Sequence, residues 1–293
     1  MQKNSLKYTF SGHESFQCRH LWLKKGYDFV HAGKSFTSED AVVELGVGKN
    51  MVAAIRYWMK AFDLLDQNDT LTELANNLLG KNGWDPYLED EASLWLLHYH
   101  LVKKGVASTY HLIFNELRKE KIEFSKNNFI AFVKRKAEST GAFQANEKTL
   151  SEDFGVLAKM YIRSDAQSKD KEDTFSGLLT ELDLIKSFGK RGEEFFVIEN
   201  NEKNEIPDEV ILYGILQTEG LDASISLSTI EQEPNQVGTI FAINRSGLLN
   251  KIESIASKNS KHINFNDHAG IKELQFKKRF EPFEVLNKYY NAN

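Results

Sequence analysis

The chain has 293 residues, 41% hydrophobic and 27% charged, with a formal net charge of −5. That length and balance exclude a single small module, a disordered chain and a fibrous repeat, and predict two or three compact units. The acidic excess excludes a bulk polycation, so contact with a nucleic acid has to come from local basic faces. No run approaches the roughly 18 apolar residues of a membrane span, and the opening MQKNSLKYTF has no apolar core of signal-peptide length. The single cysteine, Cys18, excludes an internal disulfide and points to a reducing compartment. A cytoplasmic protein without membrane contact is expected.

Charge is uneven along the chain. Residues 1–60 carry nine basic side chains (Lys3, Lys7, Arg19, Lys24, Lys25, Lys34, Lys49, Arg56, Lys60) against five acidic ones. A second basic stretch runs from Arg118 to Lys136, and a third comprises Lys272, Lys277, Lys278 and Arg279. Acid collects at Glu89-Asp90-Glu91 and along Glu193 to Glu209. Any one such run can be a solvated face and no more.

The segment Phe10 to Tyr27 concentrates His13, Glu14, Cys18, Arg19 and His20. After it, Ser38 is placed as the N-cap of a short helix through Ala41 to Leu45. Gly46-Val47-Gly48 makes a turn, and a longer helix is predicted from about Lys49 to Leu65. Its apolar residues Met51, Ile55, Trp58, Phe62 and Leu65 alternate four and three apart, which makes one buried stripe. The other side carries Lys49, Ala53, Arg56, Lys60 and Asp63. Short helix, glycine turn, long amphipathic helix is a helix-turn-helix pattern, and Leu65 to Leu74 is where a wing or return strand would sit. Helices are then predicted over Ala92–Val102, Tyr110–Lys119, Asn127–Glu138 and Ser151–Tyr161, and by default they form a bundle. The polar stretch Arg163 to Thr174 is the linker candidate. Beyond it, EFFVIE (Glu194 to Glu199) predicts a strand, Pro207 a first helical position, TIFAI (Thr239 to Ile243) a short strand, and Ser246 the cap of a helix to Ser257. His262–Phe265 and Ile271–Phe276 predict a hairpin.

The motif LGVGKN lacks the G-x-x-x-x-G-K-[ST] spacing and follows a helix, so nucleotide binding is excluded. What remains is physical. Free N–H groups at the start of the long helix attract a phosphate, Lys49 adds charge, and Asn50 can donate to phosphate or read adenine. Lys24, Lys25, Arg56 and Lys60 complete the candidate DNA contacts. His13 and Glu14 are read either as a hydrogen-bonding network that orders their segment or as a general base and acid at a phosphodiester. One cysteine and no matching spacing argue against zinc, so no metal ligands and no cofactor are assigned. A divalent metal belongs only to a nuclease reading. His98 and His100, two apart, lie on different faces of their helix and are expected in the core or at its rim. No G-x-S-x-G, H-E-x-x-H or dinucleotide motif occurs.

Two blocks, FSGHESFQCRHLWLKKGYDFV (Phe10 to Val30) and AVVELGVGKNMVAAIRYWMKAFDLL (Ala41 to Leu65), resemble the bacterial family called domain of unknown function 4007. Later segments, including GTIFAINRSGLL at Gly238 to Leu249, fit that family more loosely. The resemblance implies a place among DNA phosphorothioation genes, beside sulfur-transfer enzymes and defence ATPases. It also implies a DNA-acting role, since nicking has been attributed to one member, a subunit of a single-strand phosphorothioation system. It carries no catalytic residue over to this chain.

The expectation is a mainly α protein with small β hairpins. A winged-helix-like domain spans 1–83, a helical middle 84–165, and an α+β, winged-helix-like domain 166–293. The function expected is DNA binding within a phosphorothioation or anti-phage defence system, with strand nicking as an added activity. The rivals are a winged-helix adaptor and a transcription regulator without enzymatic activity.

Overall fold

The computed structural model describes residues 8–163, 176–190, 192–268, 270–278 and 280–292. Lys3, Lys7, residues 164–174 of the linker candidate, and Arg279 lie outside them. The chain divides into two compact units, Met1–Ile198 and Glu199–Asn293.

In the first unit α1 (Trp22–His31), α2 (Ala41–Leu45) and α3 (Lys49–Ala61) follow one another closely. Gly46, in the left-handed region at φ 63°, ends α2, a conformation open to glycine at no steric cost. The cap position of α2 is held by Asp40, not Ser38, whose hydroxyl instead donates to the Ser35 carbonyl. Helix α3 stops at Ala61, and Asp63 then turns left-handed at φ 60°. Its buried face is Val52, Ile55, Trp58 and Met59, with Phe62 just beyond the end. Met51 is half-exposed, and Leu65 lies past the helix.

Helix α4 (Glu73–Leu79) is capped by the Thr72 hydroxyl. Helix α5 (Glu91–Lys104) is buried at every residue from Ala92 to Val102. The sequence SLWLLHYHLV has no polar face, so only a position with neighbours on all sides suits it. His98 Nδ1 lies 2.7 Å from the Tyr161 hydroxyl, and His100 meets Asp63 at 3.3 Å. Helix α6 (Ser108–Leu112) runs through a π-helical turn, Ile113–Leu117, into α7 (Arg118–Glu120). Then come β1 (Glu123–Ser125), α8 (Lys126–Thr140), α9 (Glu147–Tyr161), β2 (Lys186–Lys190) and β3 (Glu193–Val197). The strands form an antiparallel sheet in the order β1-β3-β2, with Phe196 opposite both Phe124 and Ser187. The apolar EFFVIE segment thus supplies the central strand.

The second unit holds α10 (Asp208–Leu216), β4 (Ser224–Ser226), α11 (Leu227–Gln232), α12 (Val237–Ile240), α13 (Arg245–Lys258), β5 (Ile263–His268), β6 (Ile271–Phe276) and α14 (Pro282–Ala292). Its sheet order is β4-β6-β5, all antiparallel. Ile230, Phe241, Leu248, Ile252 and Leu274 fill the core, each contributing roughly 1.5–3 kcal/mol by burial. TIFAI is not a strand. Residues Val237–Ile240 are helical, and Gly238 sits so close to α11 that a Cβ there would fall 2.7 Å from the Glu231 Cα. Close backbone packing overrides the local β preference. Pro207 is the N-cap of α10 rather than its first residue. The described residues are therefore mainly α with two small three-stranded antiparallel sheets.

The cap of α13 is Asn244, whose Oδ1 accepts the Gly247 N–H at 2.8 Å, while Ser246 is exposed. Asn244→Ala is expected to lower stability by about 1 kcal/mol, and Ser246→Ala by less than about 0.5 kcal/mol. Urea unfolding monitored by circular dichroism checks both.

Candidate nucleic-acid interface

The turn between α2 and α3 leaves its glycines open. A Cβ placed on Gly46 or Gly48 meets nothing within 4 Å. Gly48 is the N-cap of α3 and has no side chain to accept the first N–H groups, whereas Ser125, Asn146 and Asn244 each cap their own helices. The start of α3 therefore presents uncapped donors and the positive end of the helix dipole. Lys49 and Asn50, its first two residues, are exposed. Lys25 on α1 is exposed too, and lines an open groove of about 370 Å³ that has Gly46 on its wall. The same groove holds Lys34 and Glu44, which pair with each other.

The remaining candidates are engaged. Lys24 bonds Asp28 one turn along α1. Arg56 grips Asp69 through Nη2 at 2.7 Å and through Nε, and Lys60 reaches the same carboxylate at 2.8 Å. Lys60 also donates to the Gln67 carbonyl. Asp69 lies in a tight turn closed by the Leu65–Leu71 bridge, and Asp66 accepts the N–H groups of Asn68 and Thr70 at 2.8 Å each. Burial works to raise the Asp69 pKa, but the hydrogen bonds from Arg56 and Lys60 outweigh it and hold the carboxyl below its ordinary value. Two cations share the Asp69 carboxylate, and Asp66 in the same turn adds a second negative charge, so no free positive charge remains at this end of α3. The strip expected along the whole helix contracts to Lys49 and Asn50, with Lys25 across the groove. These are the candidates without a partner among the described residues.

His13 and Glu14 part company. Glu14 is exposed. His13 is 4% exposed and bonded through both ring nitrogens. Its Nδ1 accepts the Ser15 N–H at 3.2 Å, so Nε2 carries the proton and donates to Asp153 Oδ1 at 2.9 Å. Asp153 also accepts from the Ser11 N–H and the Thr109 hydroxyl. The imidazole stacks on Trp58 of α3, whose indole N–H donates to the Phe16 carbonyl at 3.0 Å. Gly12, at φ 96°, lies against Tyr57, and a Cβ there would fall 2.8 Å from the ring. This geometry is a knot tying the N-terminal loop to α3, α6 and α9. Cys18 is buried, and burial pushes its thiol pKa up, which removes the nucleophilic thiolate. Asp69 and Asp153 are the residues that sequence reasoning missed. Asp153 left one signal, a carboxylate inside the apolar stripe Leu150, Phe154, Leu157 and Tyr161. Among the described residues no three His, Cys, Asp or Glu side chains gather as a cation site.

The site thus consists of an uncapped helix start after a glycine turn, with exposed Lys49 and Lys25 beside it, on a mainly helical protein. The chain belongs to the family described as "Protein of unknown function (DUF4007)", which matches residues 10–290. Two solved structures are similar to it, a magnesium ion-bound SspB and an SspB crystal structure, with TM-scores of 0.85 and 0.84. Each is 29% identical, with 97% of this chain and 88% of the other covered. No curated protein matches the chain.

Asp153→Ala strands three donors in a buried site and is expected to lower stability by about 3 kcal/mol, read from urea unfolding with Trp fluorescence. Asp69 has a folded pKa below its ordinary 3.8. Its contribution is complete above that value and is lost as pH falls through the folded one. Unfolding curves at pH 6 and pH 3 should therefore differ less for Asp69→Asn than for the unaltered chain.

Proposed function

We propose that this chain is the DNA-engaging member of a bacterial DNA phosphorothioation or anti-phage defence system, working in the cytoplasm beside sulfur-transfer and ATPase proteins. The observation that carries this reading is the likeness to the SspB structures over 97% of the chain. No helix among the described residues is long and apolar enough to cross a membrane, which is compatible with it.

The order of elements supports winged-helix units at both ends. In the first, a short helix, a glycine turn and a long helix precede the Leu65–Leu71 turn. In the second, α10, β4, α11, α13 and the β5–β6 hairpin build a three-stranded sheet behind the helices. In this reading the start of α3 receives a backbone phosphate, Lys25 and Lys49 neutralise its neighbours, and Asn50 makes any base contact. Lys24 contributes to this surface only if the phosphate displaces Asp28 from it. Arg56 and Lys60 act mainly by fixing the 66–70 turn against the helix.

Strand nicking is favoured by one observation, the magnesium ion named for one SspB structure. It would convert supercoiled plasmid to open circle with magnesium and not with a chelator. Its base would have to be a group other than His13, whose lone pair is occupied.

DNA binding followed by fluorescence anisotropy across a salt series tests the main reading. Lys25→Ala with Lys49→Ala should flatten the slope of log K against log salt by about two units. A slope equal to that of the unaltered chain removes this surface from the account. No binding by either chain favours the adaptor.

A further inference from the structure

The basic stretch that begins at Arg118 takes no part in the surface around α3. Residues 116–136 hold seven basic side chains against three acidic ones. Several are matched: Lys134 with Glu147, Arg135 with Glu120, and Lys136 with Glu116. Arg118 is not. It follows directly on the π-helical turn Ile113–Leu117, and such turns recur at functional positions. Its Nε and Nη1 are shut off from solvent and meet no acceptor among the described residues. Burial pulls its pKa down to about 10, and no neighbouring charge offsets that.

A guanidinium with that pKa is still fully charged at neutral pH. A covered charge with unmade hydrogen bonds is unfavourable unless an anion completes it, and each such group in a folded protein calls for an explanation. The neighbours point one way. Lys121 and Lys126 are exposed and have no partner among the described residues. Between them Ile122 is 78% exposed. Ser125 and Asn128 form a capping box at the start of α8, so the helix end itself is already satisfied there. The anion-seeking groups are therefore side chains. A planar fork and two ammonium groups within nine residues suit tetrahedral oxyanions repeated along a strand better than a single carboxylate.

We propose that Arg118, Lys121 and Lys126 form a second phosphate-binding surface, where the Arg118 guanidinium turns out of its cover to grip the backbone phosphate of a bound nucleic-acid strand. The proposal rests on the DNA-binding reading above and adds a contact that reading does not contain.

The test uses the full chain and a short fluorescein-labelled duplex, with Arg118→Met, the pair Lys121→Gln/Lys126→Gln, and the α3 pair Lys25→Ala/Lys49→Ala measured side by side. Arg118→Met should weaken binding about five- to tenfold and lower the salt slope by about one, and the glutamine pair should lower it by about two. Without DNA, Arg118→Met should melt no lower than the unaltered chain, because it removes a charge and no partner. Should Arg118→Met fold poorly, the exposed glutamine pair still decides. If the α3 pair loses affinity while Arg118→Met and the glutamine pair bind normally, the second surface is overturned and the first reading stands. If Arg118→Met and the glutamine pair lose affinity while the α3 pair does not, the contact lies here and α3 leaves the account. A melting point raised by inorganic phosphate through Arg118, with duplex binding untouched by its loss, assigns the position to free phosphate and overturns the proposal.

Discussion

The carboxylate of Asp153 organises the first unit. It is buried, and it accepts hydrogen bonds from His13, the Ser11 backbone and Thr109. Those bonds hold the N-terminal loop where the Phe16 carbonyl can receive the Trp58 indole N–H and where His13 can stack on that ring. Trp58 is the centre of the inner face of α3, so fixing it fixes the rotation of the helix about its own axis. Lys49 and Asn50 are exposed as a consequence. A buried, fully satisfied polar network of this kind specifies one arrangement where apolar packing alone would tolerate several.

A second constraint is how charge is matched. The chain carries more acid than base, and many of its cations meet a carboxylate. Asp69 takes both Arg56 and Lys60, Asp63 takes Lys104, and Asp208 takes Lys251 and Lys258. The more open pairs, Arg56 with Asp69 and Lys104 with Asp63, add little stability, but like the covered pair of Lys251 with Asp208 they cancel local field. Among the described residues that lack such a match are Lys25, Lys49 and Asn50 around the α3 start, and Arg118 with Lys121 and Lys126 after the π-helical turn, the groups on which the two proposed contacts rest. The aromatic and histidine residues of α5 are not among them. His98 and His100 are bonded in or beside the core, where burial lowers the His100 pKa against the opposing pull of Asp63.

Periodicity made the long helices legible. The α3, α5, α8 and α9 segments each show an apolar face or an apolar body, and the glycine turn before α3 reads directly from LGVGKN. The central strand β3 is legible as a β-rich apolar run. Its partners β1 and β2 are not, because EFS and KSFGK are short and half polar, and pairing with β3 makes them strands. TIFAI misleads for the opposite reason: Thr239 and Ile240 end the short helix α12, packed close to α11, and Ile243 makes only an isolated bridge to Asn201. The candidate site was legible as residue types but not as a state of charge. Asp69 lies nine residues beyond Lys60 in a loop, and nothing in helical spacing announces that the loop folds back to claim both Arg56 and Lys60. Asp153 lies far from His13 in the chain, so their bond is purely tertiary.

The central proposal is that the uncapped, exposed first turn of α3 receives an anion. Amide hydrogen exchange over residues 46–53, with and without a saturating DNA duplex, measures it at the backbone groups concerned. The account predicts marked slowing of exchange at Lys49, Asn50 and Met51 when the duplex is present. Equal exchange rates in both samples, with the duplex shown to be bound, would contradict it.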